Sequence, residues 1–136
     1  MTKGANILII EDDRDLVNSM RVIFESVDYK VRTAYNGKEG FDQIEKKKPD
    51  LIILDVMMAT DTEGFDLAFK LRNHADYKSI PIIMVTGFTQ RMAELGPEKF
   101  QHILGEDWPV TKIFEKPIDP DELLAATQAI LKEYGK

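Results

Sequence analysis

Apolar and polar positions alternate along this chain in blocks. Five short apolar runs of strand length are separated by longer amphipathic stretches, a pattern typical of repeated strand-helix units around a parallel sheet. Three of the runs, residues 7–10, 51–54 and 82–85, are continuously apolar. Strands of this kind have helices on both faces, so we expect these three to lie in the centre of the sheet.

The other two runs, residues 31–34 and 111–115, mix polar and apolar positions and therefore suit exposed edges. With the second and fifth strands outermost, the predicted order is 2-1-3-4-5. The predicted fold is an α/β, doubly wound, five-stranded parallel sheet of the flavodoxin-like type, with helices on both faces. In such sheets ligands bind beyond the carboxyl ends of the strands, at the switch between the first and third strands.

Helix start signals support this division of the chain. We predict N-caps at Asp13, at Asn36, which has Glu39 three residues later, and at Asp119, which precedes Pro120. The last helix carries an apolar stripe that predicts core packing, made of Leu123, Thr127, Ile130 and Tyr134.

Acidic residues follow two of the central runs. Glu11 and Asp12 come directly after the first run, and Asp55 comes directly after the third. If those strands are parallel neighbours, the acids gather in one crevice, where their repulsion must be relieved by protonation or by a bound cation. Oxygen ligands favour Mg²⁺, which leaves positions open for water and phosphate. The crevice therefore predicts phosphate chemistry.

Composition limits the remaining possibilities. The 136 residues, 43% of them hydrophobic, suit one domain over residues 1–136 without a separate output domain. The chain has no cysteine, which is compatible with a reducing compartment, and we expect a cytoplasmic protein. The net charge of −6 opposes nonspecific nucleic-acid binding, and the longest apolar run is far too short for membrane insertion.

Four strand-end motifs, taken together, match a known family. They are Glu11-Asp12, Asp55 in Leu-Asp-Val-Met-Met, Thr86 in Met-Val-Thr-Gly, and Lys116 in Phe-Glu-Lys-Pro. Each follows its own predicted strand, in the right order. Over essentially its whole length, the chain resembles a response-regulator receiver domain.

The resemblance implies a function and roles for the site residues. A histidine kinase or phosphotransfer protein would transfer a phosphoryl group to Asp55, and the chain would catalyse its own phosphorylation and dephosphorylation. Asp12, Asp55 and the Met57 carbonyl would bind Mg²⁺, and Glu11 would act mainly through water. Thr86 and Lys116 would contact phosphoryl oxygens. Signalling would follow through binding to a downstream protein target.

Each motif also has a plainer interpretation. Acids after a strand often cap the next helix, Thr86 suits any strand, and Lys116 suits a solvated surface. The serious rival function is a degenerate receiver that binds proteins without phosphorylation. Its expected mark is the loss of a site residue, and none is lost here.

The chain departs from the family pattern around the predicted site. Ala59 replaces a proline, Gly64 comes one residue late, and Ile113 stands where a tyrosine or phenylalanine is usual. These departures leave the site residues intact and fall near the expected output surface.

Overall fold

A computed structural model describes residues 4–55, 63–86, 111–115 and 118–135 of the chain. The strands within these ranges are β1 (Asn6–Ile10), β2 (Lys30–Ala34), β3 (Leu51–Asp55), β4 (Ile82–Thr86) and β5 (Lys112–Glu115). The helices are α1 (Arg14–Glu25), α2 (Gly37–Lys46), α3 (Glu63–Arg72) and α4 (Pro120–Glu133). None of the helices in the described ranges is long and apolar enough to cross a bilayer.

The five strands form one parallel sheet in the order β2-β1-β3-β4-β5. This confirms the predicted fold, with β2 and β5 at the edges, and the strand bounds differ from the predicted ones by at most one residue at each end. In the register of the sheet, Ile10 lies beside both Ala34 and Leu54. Asp55 lies beside Val85, one step further along. The ends of β1, β3 and β4 are therefore nearly level.

Helices cover both faces of the sheet, and an apolar layer fills each side. The layer beneath α1 and α4 contains Ile7, Ile9, Ile53, Phe24 and Leu123 among others. The layer beneath α2 and α3 contains Leu8, Ile10, Leu54, Ile44 and Leu71 among others. Alternate residues of β1 and β3 thus enter opposite layers and all are buried. This two-sided burial explains why both runs are continuously apolar.

The predicted caps are confirmed. Asp13, Asn36 and Asp119 each accept backbone N–H bonds from the first turn of their helix. At α2 the Asn36 Oδ1 accepts the N–H of Glu39 at 2.8 Å, while the Glu39 carboxylate accepts the N–H of Tyr35 at 3.1 Å. The first bond satisfies a donor that the first helical turn leaves without a partner within the helix, and the second fixes the residue that precedes the cap.

The predicted stripe on α4 is correct except at its end. Leu123, Thr127 and Ile130 are buried, but Tyr134 is 42% exposed, so its assignment to the core was wrong. The helix ends at Glu133 and Tyr134 is its cap, with φ −87° and ψ 5°. Its N–H still donates to the Ile130 carbonyl at 3.0 Å, so the residue keeps the helical register but lies one turn beyond Ile130, at the exposed end of the helix.

Arg32 on the edge strand β2 joins three parts of the fold. Its Nε donates to the Asn6 Oδ1 at 3.1 Å, its Nη1 donates to the Gln43 carbonyl at 2.8 Å, and its Nη2 donates to the Lys47 carbonyl. Partial burial lowers the pKa of this guanidinium. The side chain thereby caps the last carbonyls of α2 and ties them to β1.

We expect Arg32→Ala to lower the free energy of unfolding by about 1 to 2 kcal/mol, because four acceptors, the Gln43 Oε1 among them, lose a charged donor. Arg32→Lys should recover only part of this loss, since one ammonium lacks the planar fork that reaches all four acceptors. Urea denaturation measures both changes. Lys30→Ala is the control on the same strand, where an exposed side chain should contribute less than about 0.5 kcal/mol. Equal effects of the Arg32 and Lys30 variants would contradict this assignment.

Candidate functional site

Three carboxylates meet at the carboxyl edge of the sheet, between β1 and β3. Ligand oxygens of Glu11, Asp12 and Asp55 all lie within 4.8 Å of one another. Glu11 and Asp55 are each only 1% exposed, whereas Asp12 is exposed to solvent. The cluster therefore has a buried floor and one side that is accessible to solvent.

The strand register explains why these acids meet. Ile10 and Leu54 lie side by side, so the residues that follow them, Glu11 and Asp55, leave the sheet next to each other. The backbone of Glu11 donates to the Ala34 carbonyl at 3.0 Å and continues the β1 and β2 pairing by one residue. The Glu11 Oε2 accepts the N–H of Asp13 at 3.1 Å. This bond holds the carboxylate beneath the start of α1.

The chemistry of the cluster suits a hard divalent cation. Carboxylates at this spacing repel one another, and a cation between them converts the repulsion into attraction. All three side chains offer oxygen, the ligand that Mg²⁺ prefers, and Mg²⁺ uses few protein carboxylates so that other positions remain available. Mg²⁺ therefore fits the three carboxylates that the structure brings together.

The other predicted site residues are placed less completely. Thr86 ends β4, the strand next to β3, and its backbone lies one register step beyond the pair formed by Asp55 and Val85. Lys116 follows β5 directly, and both it and Met57 lie outside the described residues. The structure thus brings together Glu11, Asp12, Asp55 and the strand end that carries Thr86.

A contact beside the crevice has no counterpart in the sequence motifs. The guanidinium carbon of Arg14, the first residue of α1, lies 4.0 Å from the centre of the Tyr35 ring. A cation over an aromatic face is attracted by the ring, so this pair links the start of α1 to the connection between β2 and α2. Sequence reasoning missed the pair because the two residues meet only after the sheet forms.

Comparison with known proteins gives a consistent result. The response regulator receiver domain family matches residues 7–128. Response regulator ArlR of Staphylococcus aureus is 32% identical over 126 residues, which are 93% of this chain and 52% of that protein. The chain therefore spans about half the length of the curated relatives that it matches.

Solved structures share the fold closely. A CheY-like response regulator receiver domain protein from Methanospirillum hungatei superposes with a TM-score of 0.75 at 29% identity, over 95% of this chain and 94% of that one. The chemotaxis response regulator CheY4 of Vibrio cholerae gives 0.74 at 30% identity, over 94% and 99% of the two chains. With the family match over residues 7–128, these likenesses show that the chain belongs to the response regulator receiver domains of two-component signalling.

Proposed function

We propose that this chain is a phosphoacceptor, which takes a phosphoryl group onto Asp55 from the phosphohistidine of a histidine kinase or phosphotransfer protein. The observation that carries the proposal is the position of Asp55. It ends the central strand β3, is 1% exposed, and lies beside Glu11 and Asp12. A buried carboxylate next to a cation-binding pair suits a nucleophile whose product carries additional negative charge.

In the proposed reaction, a carboxylate oxygen of Asp55 attacks the phosphorus of the donor. A phosphorus–oxygen bond forms, and the phosphorus–nitrogen bond of the phosphohistidine breaks, with its electron pair returning to the imidazole. The product is an acyl phosphate on Asp55. Because little covalent chemistry is required of the protein, its contribution is to position the groups and to neutralise charge.

The surrounding residues have supporting roles in this proposal. Mg²⁺, when bound by Asp12 and Asp55 with Glu11 acting mainly through water, would neutralise charge on the transferred phosphoryl group. The hydrogen bond from the Asp13 backbone keeps the Glu11 carboxylate turned toward the cluster. By resemblance to the family, the Met57 carbonyl completes the metal ligands, and Thr86 and Lys116 bind phosphoryl oxygens.

A groove beside the acids supports a protein as the phosphodonor. It lies between α1 and α4, has a volume of about 310 Å³, and reaches Asp13 at the edge of the crevice. Its walls are mainly apolar side chains, which are Leu16, Met20, Ile23, Ile118 and Leu123. We assign it to an apolar helix face of the donor, because the groove is apolar and ends at Asp13, the residue that follows Asp12 of the acid cluster.

The same proposal gives the signal a protein target rather than nucleic acid, in line with the net charge of −6. It also places the exchange in the cytoplasm, with which a chain without cysteine is compatible. The rival function, a receiver that acts without phosphorylation, has no observation in its favour among the described residues.

Incubation with a small phosphodonor and Mg²⁺, followed by intact-mass measurement and site mapping, tests the proposal. We expect one phosphoryl group per chain, on Asp55, and no uptake when a chelator removes the Mg²⁺. A chain that stays unmodified with metal and donor in excess would support the rival function. Modification of a histidine would refute the assignment of the acceptor.

A further inference from the structure

A buried glycine lies in the middle of α2, directly against the end of β1. A Cβ at Gly40 would lie 2.5 Å from the Cδ1 of Ile10, 3.0 Å from its Cγ1 and 3.3 Å from its Cγ2. Glycine in a helix interior costs about 1 kcal/mol relative to alanine. Here it allows the backbone of α2 to rest on the Ile10 side chain at a distance that a residue with a Cβ reaches only if Ile10 shifts.

Ile10 connects this contact to the acid cluster. The residue is 0% exposed, ends β1 and directly precedes Glu11. Its neighbour across the sheet is Leu54, which directly precedes Asp55. Ile10 is 0% exposed, so little room is left for its side chain to turn aside. Any part of a shift that the side chain does not absorb displaces the backbone of Glu11 and Asp12 relative to Asp55.

The helix itself is fixed at both ends, so the strain of an added methyl group falls on Ile10. The Asn36 and Glu39 bonds hold the start of α2. Arg32 holds the end of α2 through the carbonyls of Gln43, in its last turn, and of Lys47, its C-cap. The helix is therefore unable to move away freely when a methyl group is added at position 40, and the side chain beneath that position is fully buried.

We propose that Gly40 is a positioning residue of the acid cluster. It lets α2 hold Ile10, and through Ile10 the end of β1, at the place where Glu11 and Asp12 share a cation with Asp55. Mg²⁺ demands near-ideal octahedral geometry, and sites of this kind tolerate displacements of only about 0.5 Å. The inference rests on the proposed function insofar as the cation is Mg²⁺.

The test compares Gly40→Ala, Ile10→Val and the double variant by calorimetric titration with Mg²⁺, well below the unfolding temperature of each. Gly40→Ala should bind Mg²⁺ about tenfold more weakly, because changes to residues that position metal ligands commonly lower metal affinity by that factor. Ile10→Val should bind nearly as wild type. The double variant should recover most of the affinity, because valine lacks the Cδ1 that the added methyl group meets most closely.

Ile44→Val is the matched control. Ile44 is another buried residue of α2 in the same apolar layer, so its truncation lowers stability while both Gly40 and Ile10 keep their own side chains. We expect its Mg²⁺ affinity to stay at the wild-type value. If Gly40 had a purely structural role, the Gly40→Ala variant would behave like Ile44→Val. Its melting temperature would change, and its Kd for Mg²⁺ would not.

A second measurement needs no metal. The Asp13 N–H donates to the Glu11 carboxylate, so its amide hydrogen exchange reports the position of Glu11. Exchange should be faster in Gly40→Ala and slower again in the double variant. Unchanged Kd and exchange in Gly40→Ala would overturn the inference, as would a loss that Ile10→Val does not reverse. If wild type itself fails to bind Mg²⁺, the proposed function fails, and the exchange result alone decides the role of Gly40.

Discussion

Asp55→Asn is expected to abolish phosphoryl uptake from a small phosphodonor. Asparagine has nearly the same shape as aspartate, so it preserves packing at a position that is 1% exposed. Its neutral amide oxygen, however, lacks the charge that makes the carboxylate a nucleophile. Intact mass after incubation with donor and Mg²⁺ should show complete labelling of wild type and none of the variant.

Asp66→Asn is the matched control for this loss. Asp66 is an exposed carboxylate on α3, away from the cluster formed by Glu11, Asp12 and Asp55, and its variant should be labelled as wild type is. Labelling of Asp55→Asn to the wild-type level would show that another residue accepts the phosphoryl group. Site mapping of that product would then identify the residue.

Magnesium is expected to stabilise the folded protein strongly. A ligand that binds only the folded state, present at one hundred times its Kd, adds about 2.7 kcal/mol, which corresponds to roughly 10 °C in melting temperature for a domain of this size. The physical reason is the relief of repulsion among Glu11, Asp12 and Asp55. Thermal melts with Mg²⁺ or with chelator, at equal ionic strength, measure the shift.

The same repulsion predicts the behaviour of the metal-free variants. Without Mg²⁺, Asp55→Asn and Asp12→Asn should each be at least as stable as wild type, because each removes one of several crowded charges. With Mg²⁺ both should gain less than wild type. Melts that do not respond to Mg²⁺, together with clear destabilisation of both variants in its absence, would mean that the acids serve the fold rather than a cation.

The sheet and the acid cluster were predictable because each depends on a local pattern. Continuously apolar runs at residues 7–10 and 51–54 can be covered on both faces only inside the sheet. Once these strands are parallel neighbours, Glu11 and Asp55 must emerge together. The acid cluster can therefore be predicted without knowing how the side chains of the helices pack on the sheet.

Contacts that depend on how a helix is rotated and staggered over the sheet were not predictable. The contact of Gly40 with Ile10 depends on which residue of α2 faces the strand end, and a glycine inside a helix was the only signal available. The bonds of Arg32 to Asn6 and Gln43 likewise require the end of α2 to lie beside two strands. Residues far apart in sequence decide both contacts.

The central position of β1 also affects how the chain is made. One edge of β1 can pair with β2 soon after both leave the ribosome, but the other waits for β3, and Asn6 lies 44 positions before its partner Asp50. At ordinary rates of synthesis this delay lasts about two to nine seconds. Throughout it, the apolar segment Asn6–Ile10 offers an open strand edge on which other chains can add. Variants that slow the docking of β3 should therefore reduce the soluble yield of the protein before they reduce the activity of the molecules that fold.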